Sequence, residues 1–186
     1  MSDGVSSNRY RSEIRIKYED KDKYGIFTHG SFKADYLVPR ALNIPNTGND
    51  CIFQMHTVNA TLSMAPPIEL VINNGKLCFY ISSNENIPTS EHREDTVQYV
   101  LCDMIYDEWF TVEIDFNLSY SKIFNPYTSV KINGKQILYD TSINAYNLDT
   151  LYYAQFGIYA QSWYSHPEEF VDAERTVYIR NITYQY

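Results

Sequence analysis

Polar and apolar side chains alternate along much of this chain. Tyr10, Ser12, Ile14, Ile16 and Tyr18 fall on one side of an early segment, and Arg11, Glu13, Arg15 and Lys17 on the other. That two-residue period is the mark of a strand with one polar face. Residues 25–36 give a second extended run, and Pro39 with the 43–49 segment reads as a loop. Residues 51–58 alternate again, setting Phe53 and Met55 against Gln54 and His56. Pro66 and Pro67 punctuate the chain. Ile68-Glu69-Leu70-Val71-Ile72 then leads through Asn73-Asn74-Gly75 into residues 76–82, the pattern of a hairpin.

Residues 83–95 are polar and read as a long surface loop. Strands resume beyond it at 109–116 and 129–139, the second interrupted by Asn133-Gly134, the strongest two-residue hairpin signal in the chain. Residues 151–161 and 176–184 supply the last two strands. No stretch carries a sustained helical period with caps, and no internal repeat suggests a propeller or solenoid. The expected class is all-β: an antiparallel sandwich or jelly roll with minimal helix. At 186 residues the chain fits one domain, expected over 10–186 after a flexible N-terminal segment, 1–9.

Composition supports strands, since the chain has 18 Tyr and an aromatic content of 16%. Most of these tyrosines read as sheet residues with one end in water, although such rings also suit sugar stacking. The net charge of −8 repels nucleic acid, anionic lipid and polyanionic sugars at long range, so an acidic ligand must meet a local basic cluster. No Lys/Arg-rich run exists, which argues against nucleic acid as a partner. No apolar stretch approaches membrane-spanning length, and the first eight residues lack the features of a signal peptide. The expected setting is secreted or virion-associated, with a longer parent protein left open. Cys51, Cys78 and Cys102 show no Cys-x-x-Cys spacing and are expected buried and reduced, a Cys51–Cys78 pair being the alternative.

Three short segments put proton-handling groups on alternate positions of a strand whose other side is apolar. They are Arg11-Ser12-Glu13-Ile14-Arg15, Gln54-Met55-His56, and the run from Tyr153 to Gln161. Arg11, Glu13 and Arg15 share one side, as do Gln54 and His56, and as do Tyr153, Gln155, Gly157, Tyr159 and Gln161. Ile14, Met55, Phe156 and Ile158 then point to the core. If neighbouring strands align these polar sides, the result is a groove suited to β-elimination at a uronic acid. The C5 proton there is weakly acidic. Guanidinium and amide donors must neutralise the adjacent carboxylate, a base must take the proton, and an acid must protonate the leaving oxygen.

The three segments resemble the R-[ST]-E-[LI]-R, Q-[IV]-H and Y-F-K-A-G-x-Y motifs of jelly-roll alginate lyases, polysaccharide lyase family seven, in the same chain order. They are similar also to the related glucuronan and heparin lyases. The resemblance implies a concanavalin-like jelly roll with a concave substrate groove, acting on an acidic polysaccharide and needing no cofactor or metal. It implies that Arg11 and Gln54 neutralise the carboxylate, that His56 is the base, and that Tyr159 is the acid or, for one sugar epimer, both. Glu13 would orient Arg11 or Arg15. Arg15, Glu13, Gln155, Gln161, Tyr153 and Trp163 would line the substrate. Gln155 stands where the family motif has Lys, which removes a cation from the groove.

Each segment also has a plainer reading. Arg11, Glu13 and Arg15 alone fit a solvated strand face with cross-strand ion pairs. Gln54 and His56 fit a satisfied half-buried pair, and Tyr159 a structural residue. A non-catalytic carbohydrate-binding jelly roll, alone or within a viral or phage tail structure, is the alternative function. His29, His92 and His166 lack metal-ligand spacing. Trp109 is expected in the core, and His92 with Arg93 in a solvated loop.

Overall fold

The computed structural model describes residues 11–16, 29–40, 49–57, 65–85, 95–147, 152–161 and 175–185. Trp163, His92, Arg93, His166 and the N-terminal segment 1–9 lie outside them. The described residues form eleven strands and one short 3-10 turn, Lys122–Phe124. In chain order the strands are β1 (Arg11–Arg15), β2 (His29–Leu37), β3 (Asn49–Thr57), β4 (Ile68–Asn73), β5 (Lys76–Ser83), β6 (Asp95–Asp103), β7 (Trp109–Asn117), β8 (Tyr127–Ile132), β9 (Lys135–Asp140), β10 (Tyr152–Ala160) and β11 (Tyr178–Gln185).

Two antiparallel sheets result. One has the order β1-β10-β3-β4-β5-β6, the other β11-β2-β7-β8-β9. Chain-distant strands are therefore neighbours: β10 lies between β1 and β3, the arrangement of a jelly-roll sandwich. Both hairpin signals hold. Asn74 and Gly75 close β4 on β5, and Asn133 and Gly134 close β8 on β9. All four residues have positive φ, the geometry of a type I′ turn.

Alternation builds the core. Phe32, Ala34 and Tyr36 of β2 and Phe110, Val112, Ile114 and Phe116 of β7 face Phe53 and Met55 of β3, Leu70 of β4 and Phe79 of β5, all buried. Phe32 meets Phe53 across the sheets with ring centroids 4.5 Å apart. At roughly 25 cal/mol per Å² of apolar surface, such burial is what holds two otherwise independent sheets together.

Three expectations are corrected. Ile14 is 63% exposed and Ile158 only half-buried, rather than in the core. β1 is the outermost strand of its sheet, and Ile14 faces an opening of about 390 Å³ lined also by Phe156, Ile158, Val177, Ile179 and Ile182. Trp109 is 39% exposed at the start of β7, its outer ring face covered by the Arg180 guanidinium at 3.9 Å. The cysteines are all free. A Cys51–Cys78 bridge is excluded by register, since Val71 of β4 stands between them and two strand spacings make about 9.5 Å, beyond disulfide reach. Cys51 and Cys78 are buried as expected, but Cys102 is only partly so.

Candidate functional site

The outward side of the six-stranded sheet carries the three sequence segments side by side. β1 and β3 both pair with β10, so residues distant in sequence stand opposite one another. Arg11 faces Tyr159, Glu13 faces Gly157 and Arg15 faces Gln155. On the other flank of β10, Tyr153 faces His56 and Gln155 faces Gln54.

Gly157 makes the β1 approach possible. Its φ is +144°, and a Cβ there would lie 2.2 Å from the Ser12 carbonyl oxygen and 2.8 Å from Glu13 Cα. β10 gains one residue against β3 between Phe156 and Tyr159, a bulge located at this glycine. With no side chain at 157 to block it, Glu13 reaches across β10 and accepts a 2.6 Å hydrogen bond from Gln54 Nε2. Its other oxygen lies 3.5 Å from Arg11 Nη1, and its side chain is 2% exposed. Burial raises the Glu13 pKa, against the lowering effects of Gln54, Arg11 and Arg15.

The aromatic contacts cross the same strands. The Arg11 guanidinium sits 4.3 Å from the Tyr159 ring centroid and that of Arg15 4.2 Å from Tyr153. Tyr153 in turn stacks on His56, with centroids 5.5 Å apart and planes within 17°. His56 Nδ1 lies 3.0 Å from the Thr57 carbonyl oxygen. A carbonyl only accepts, so the neutral imidazole carries its proton on Nδ1 and its basic lone pair on Nε2. Burial raises the Tyr153 hydroxyl pKa, while Arg15 and Arg11 lower it. Arg11 thus covers Tyr159 and also acts on Tyr153.

The structure brings Arg11, Glu13, Arg15, Gln54, His56, Tyr153, Gln155 and Tyr159 onto one face. Within it His56 and Tyr159 are not cross-strand neighbours. Tyr153 stands opposite His56, whereas Tyr159 stands opposite Cys51 and Arg11. Five residues of β10, including the bulge, lie between the two tyrosines, whose Cα atoms are on the order of 15–20 Å apart along the strand at about 3.3 Å per residue. Gln161, just beyond β10, reaches across β3 and donates from Nε2 to Glu69 Oε1 of β4 at 3.0 Å. Gln155 is 5% exposed, and its side-chain oxygen has no hydrogen-bond partner among the described residues.

Three charged groups escaped the sequence reading. Glu69 is 8% exposed on the same face, opposite Gln54, and burial lifts its pKa to about 7. The signal was present, since it is the single carboxylate in the apolar run 68–72. Asp50 forms a buried ion pair with Arg175 at 2.9 Å, and burial, partly offset by Arg175, raises its pKa to about 6. No sequence period links residues so far apart. Among the described residues no group of three His, Cys, Asp or Glu side chains could hold a metal ion, and no helix is long and apolar enough to cross a membrane.

A family model described as "Polysaccharide lyase" matches residues 1–183. Among solved structures, the endo-β-1,4-glucuronan lyase of the fungus Trichoderma reesei is similar with a TM-score of 0.77 and 14% identity, over 97% of this chain and 76% of that one. The alginate lyase PA1167 of Pseudomonas aeruginosa gives a TM-score of 0.63 and 18% identity, over 94% and 73%. Alginate lyase A1-II', a member of polysaccharide lyase family seven, gives 0.62 and 14%, over 97% and 74%. At these identities the likeness is one of fold. Among curated proteins none matches the chain.

Proposed function

Because the chain belongs to the polysaccharide lyase family, we propose that it cleaves an acidic, uronate-containing polysaccharide by β-elimination on the outward face of its six-stranded sheet. The observation that carries this reading is the convergence of guanidinium, amide, imidazole and phenol groups from β1, β3 and β10 on that face.

The chemistry follows from the groups. Arg11 and the second amide hydrogen of Gln54 neutralise the uronate carboxylate, which acidifies the C5 hydrogen. Glu13 holds both donors from beneath, by its ion pair with Arg11 and its bond from Gln54. His56 Nε2 takes the C5 proton, and the released electron pair forms the C4–C5 double bond. The C4–O bond then breaks, and Tyr159 protonates the departing glycosidic oxygen. The products are a new reducing end and an unsaturated uronate at a new non-reducing end. Binding of substrate carboxylate beside Arg11 also overcomes the repulsion of a chain with net charge −8.

The test is ultraviolet absorbance of the unsaturated product on alginate, glucuronan, heparin-type glycans and bacterial capsules. His56→Ala and Tyr159→Phe should each lower kcat by about 10²-fold or more, as loss of a general base or acid does. Product formation undiminished in both variants overturns the role assignment. Glycan binding with no product on any polymer overturns the reaction.

A further inference from the structure

Beside the groups that bind the carboxylate, the His56 imidazole belongs to a stack on the sheet face. Three flat groups from three adjacent strands stack on one another: the Arg15 guanidinium of β1, diagonal to the Tyr153 ring of β10, and the His56 imidazole of β3, directly opposite it. Arg15 lies 4.2 Å from the Tyr153 centroid and the His56 centroid 5.5 Å from it, the two coming from the strands that flank β10 on either side. Tyr153 is 9% exposed, so little of it is left to meet a sugar. The Nδ1 contact to the Thr57 carbonyl fixes one corner of the imidazole. The parallel Tyr153 face lying against the ring also sets the plane of the imidazole.

We propose that Tyr153 is a positioning residue for His56, clamped from its far side by Arg15, so that the stack aims Nε2 at the C5 proton. This rests on the β-elimination reading given above. It moves Arg15 from a ligand of the substrate carboxylate to a group that acts through the Tyr153 ring, and it leaves carboxylate binding to Arg11 and Gln54. The Tyr153 hydroxyl stays protonated, since burial raises its pKa, and it does not compete as a base.

The experiment compares the unmodified chain with Tyr153→Phe, Tyr153→Leu and Arg15→Gln on the polymer of the panel that the unmodified chain cleaves fastest. Tyr153→Phe keeps the stacked ring and should hold kcat within about threefold. Tyr153→Leu should lose about 10–100-fold in kcat, the scale of a misplaced reacting group, with KM within about threefold. Arg15→Gln should give a smaller kcat loss with KM unchanged. If Tyr153→Phe loses as much as Tyr153→Leu, the hydroxyl acts in the chemistry and the proposal falls. It falls also if the loss appears in KM, or if Tyr153→Leu retains full kcat.

A second readout needs no substrate. The His56 ring protons, followed by NMR, should carry an aromatic ring-current shift that is retained in Tyr153→Phe and lost in Tyr153→Leu. Unmoved His56 signals overturn the stack even if no polymer is cleaved, whereas an inactive unmodified chain with the expected shifts would overturn the reaction and leave the stack standing.

Discussion

Replacing Gly157 by alanine should detach catalysis from stability. The new Cβ would sit 2.2 Å from Ser12 O and 2.8 Å from Glu13 Cα, both backbone atoms of β1, at a φ of +144° that L side chains rarely adopt. Forcing a side chain into that conformation costs about 1–3 kcal/mol, and the overlap about 1–3 kcal/mol more if the strands stay together. Among the described residues β1 is an edge strand whose only hydrogen-bonded neighbour is β10, so its displacement is the cheapest relief. Arg11 and Glu13 leave the site with it. For a chain of this length about 1 kcal/mol corresponds to roughly 2–4 °C in Tm. Detachment caps the loss at what β1 docking contributes, so Tm should fall by less than the upper end of the roughly 4–24 °C that about 2–6 kcal/mol of retained strain would remove. Loss of the guanidinium that neutralises the carboxylate should cost at least about 10²-fold in kcat/KM. Product absorbance and thermal unfolding, measured on one preparation, check both numbers. A Gly157→Ala chain with ordinary kcat/KM would refute the placement of β1 in the site, and a loss of activity matched by global unfolding would refute its edge-strand independence.

Other outcomes follow from the buried charges and thiols. Glu69 has a folded pKa of about 7 against 4.5 as its ordinary value, so the folded chain binds more protons between those limits. Stability from this group is intact below about pH 4.5 and is lost as pH rises towards 7, by at most about 3 kcal/mol. Denaturant titrations across that window should show Glu69→Gln flattening the decline. Removing Arg175 alone leaves Asp50 buried without its 2.9 Å partner, and Arg175→Met should cost about 3–5 kcal/mol. Chemical denaturation of the Asp50→Asn/Arg175→Met double variant should recover part of that loss. In the native state a thiol reagent should modify Cys102 first, leaving Cys51 and Cys78 protected until unfolding, because both are buried. Early reaction of Cys51 would contradict the packing over β3.

Much of the fold was legible because strand alternation is local. The polar parity of Arg11, Glu13 and Arg15, of Gln54 and His56, and of Tyr153 to Tyr159 follows from a two-residue period and needs no knowledge of neighbours. The turns at Asn74-Gly75 and Asn133-Gly134 were equally readable, since positive φ restricts the residue types. Alternation misled at Ile14, which has core parity but stands on the edge strand β1 beside an opening, and residue type misled at Trp109, the first residue of the central strand β7, whose large apolar ring Arg180 covers from outside the core.

The sequence by itself therefore determined which side of each strand each side chain takes, and so which groups could share a face. Only the tertiary structure decided which strands are neighbours, and with that who touches whom. Pairing of β10 with both β1 and β3 set Tyr153 rather than Tyr159 beside His56 and let Glu13 cross at Gly157 to reach Gln54, and pairing of β3 with β4 brought Glu69 opposite Gln54. The period of a strand is fixed by its own covalent geometry, whereas register between strands far apart in the chain is fixed by hydrogen bonds, bulges and core packing that exist only once the sheets have formed.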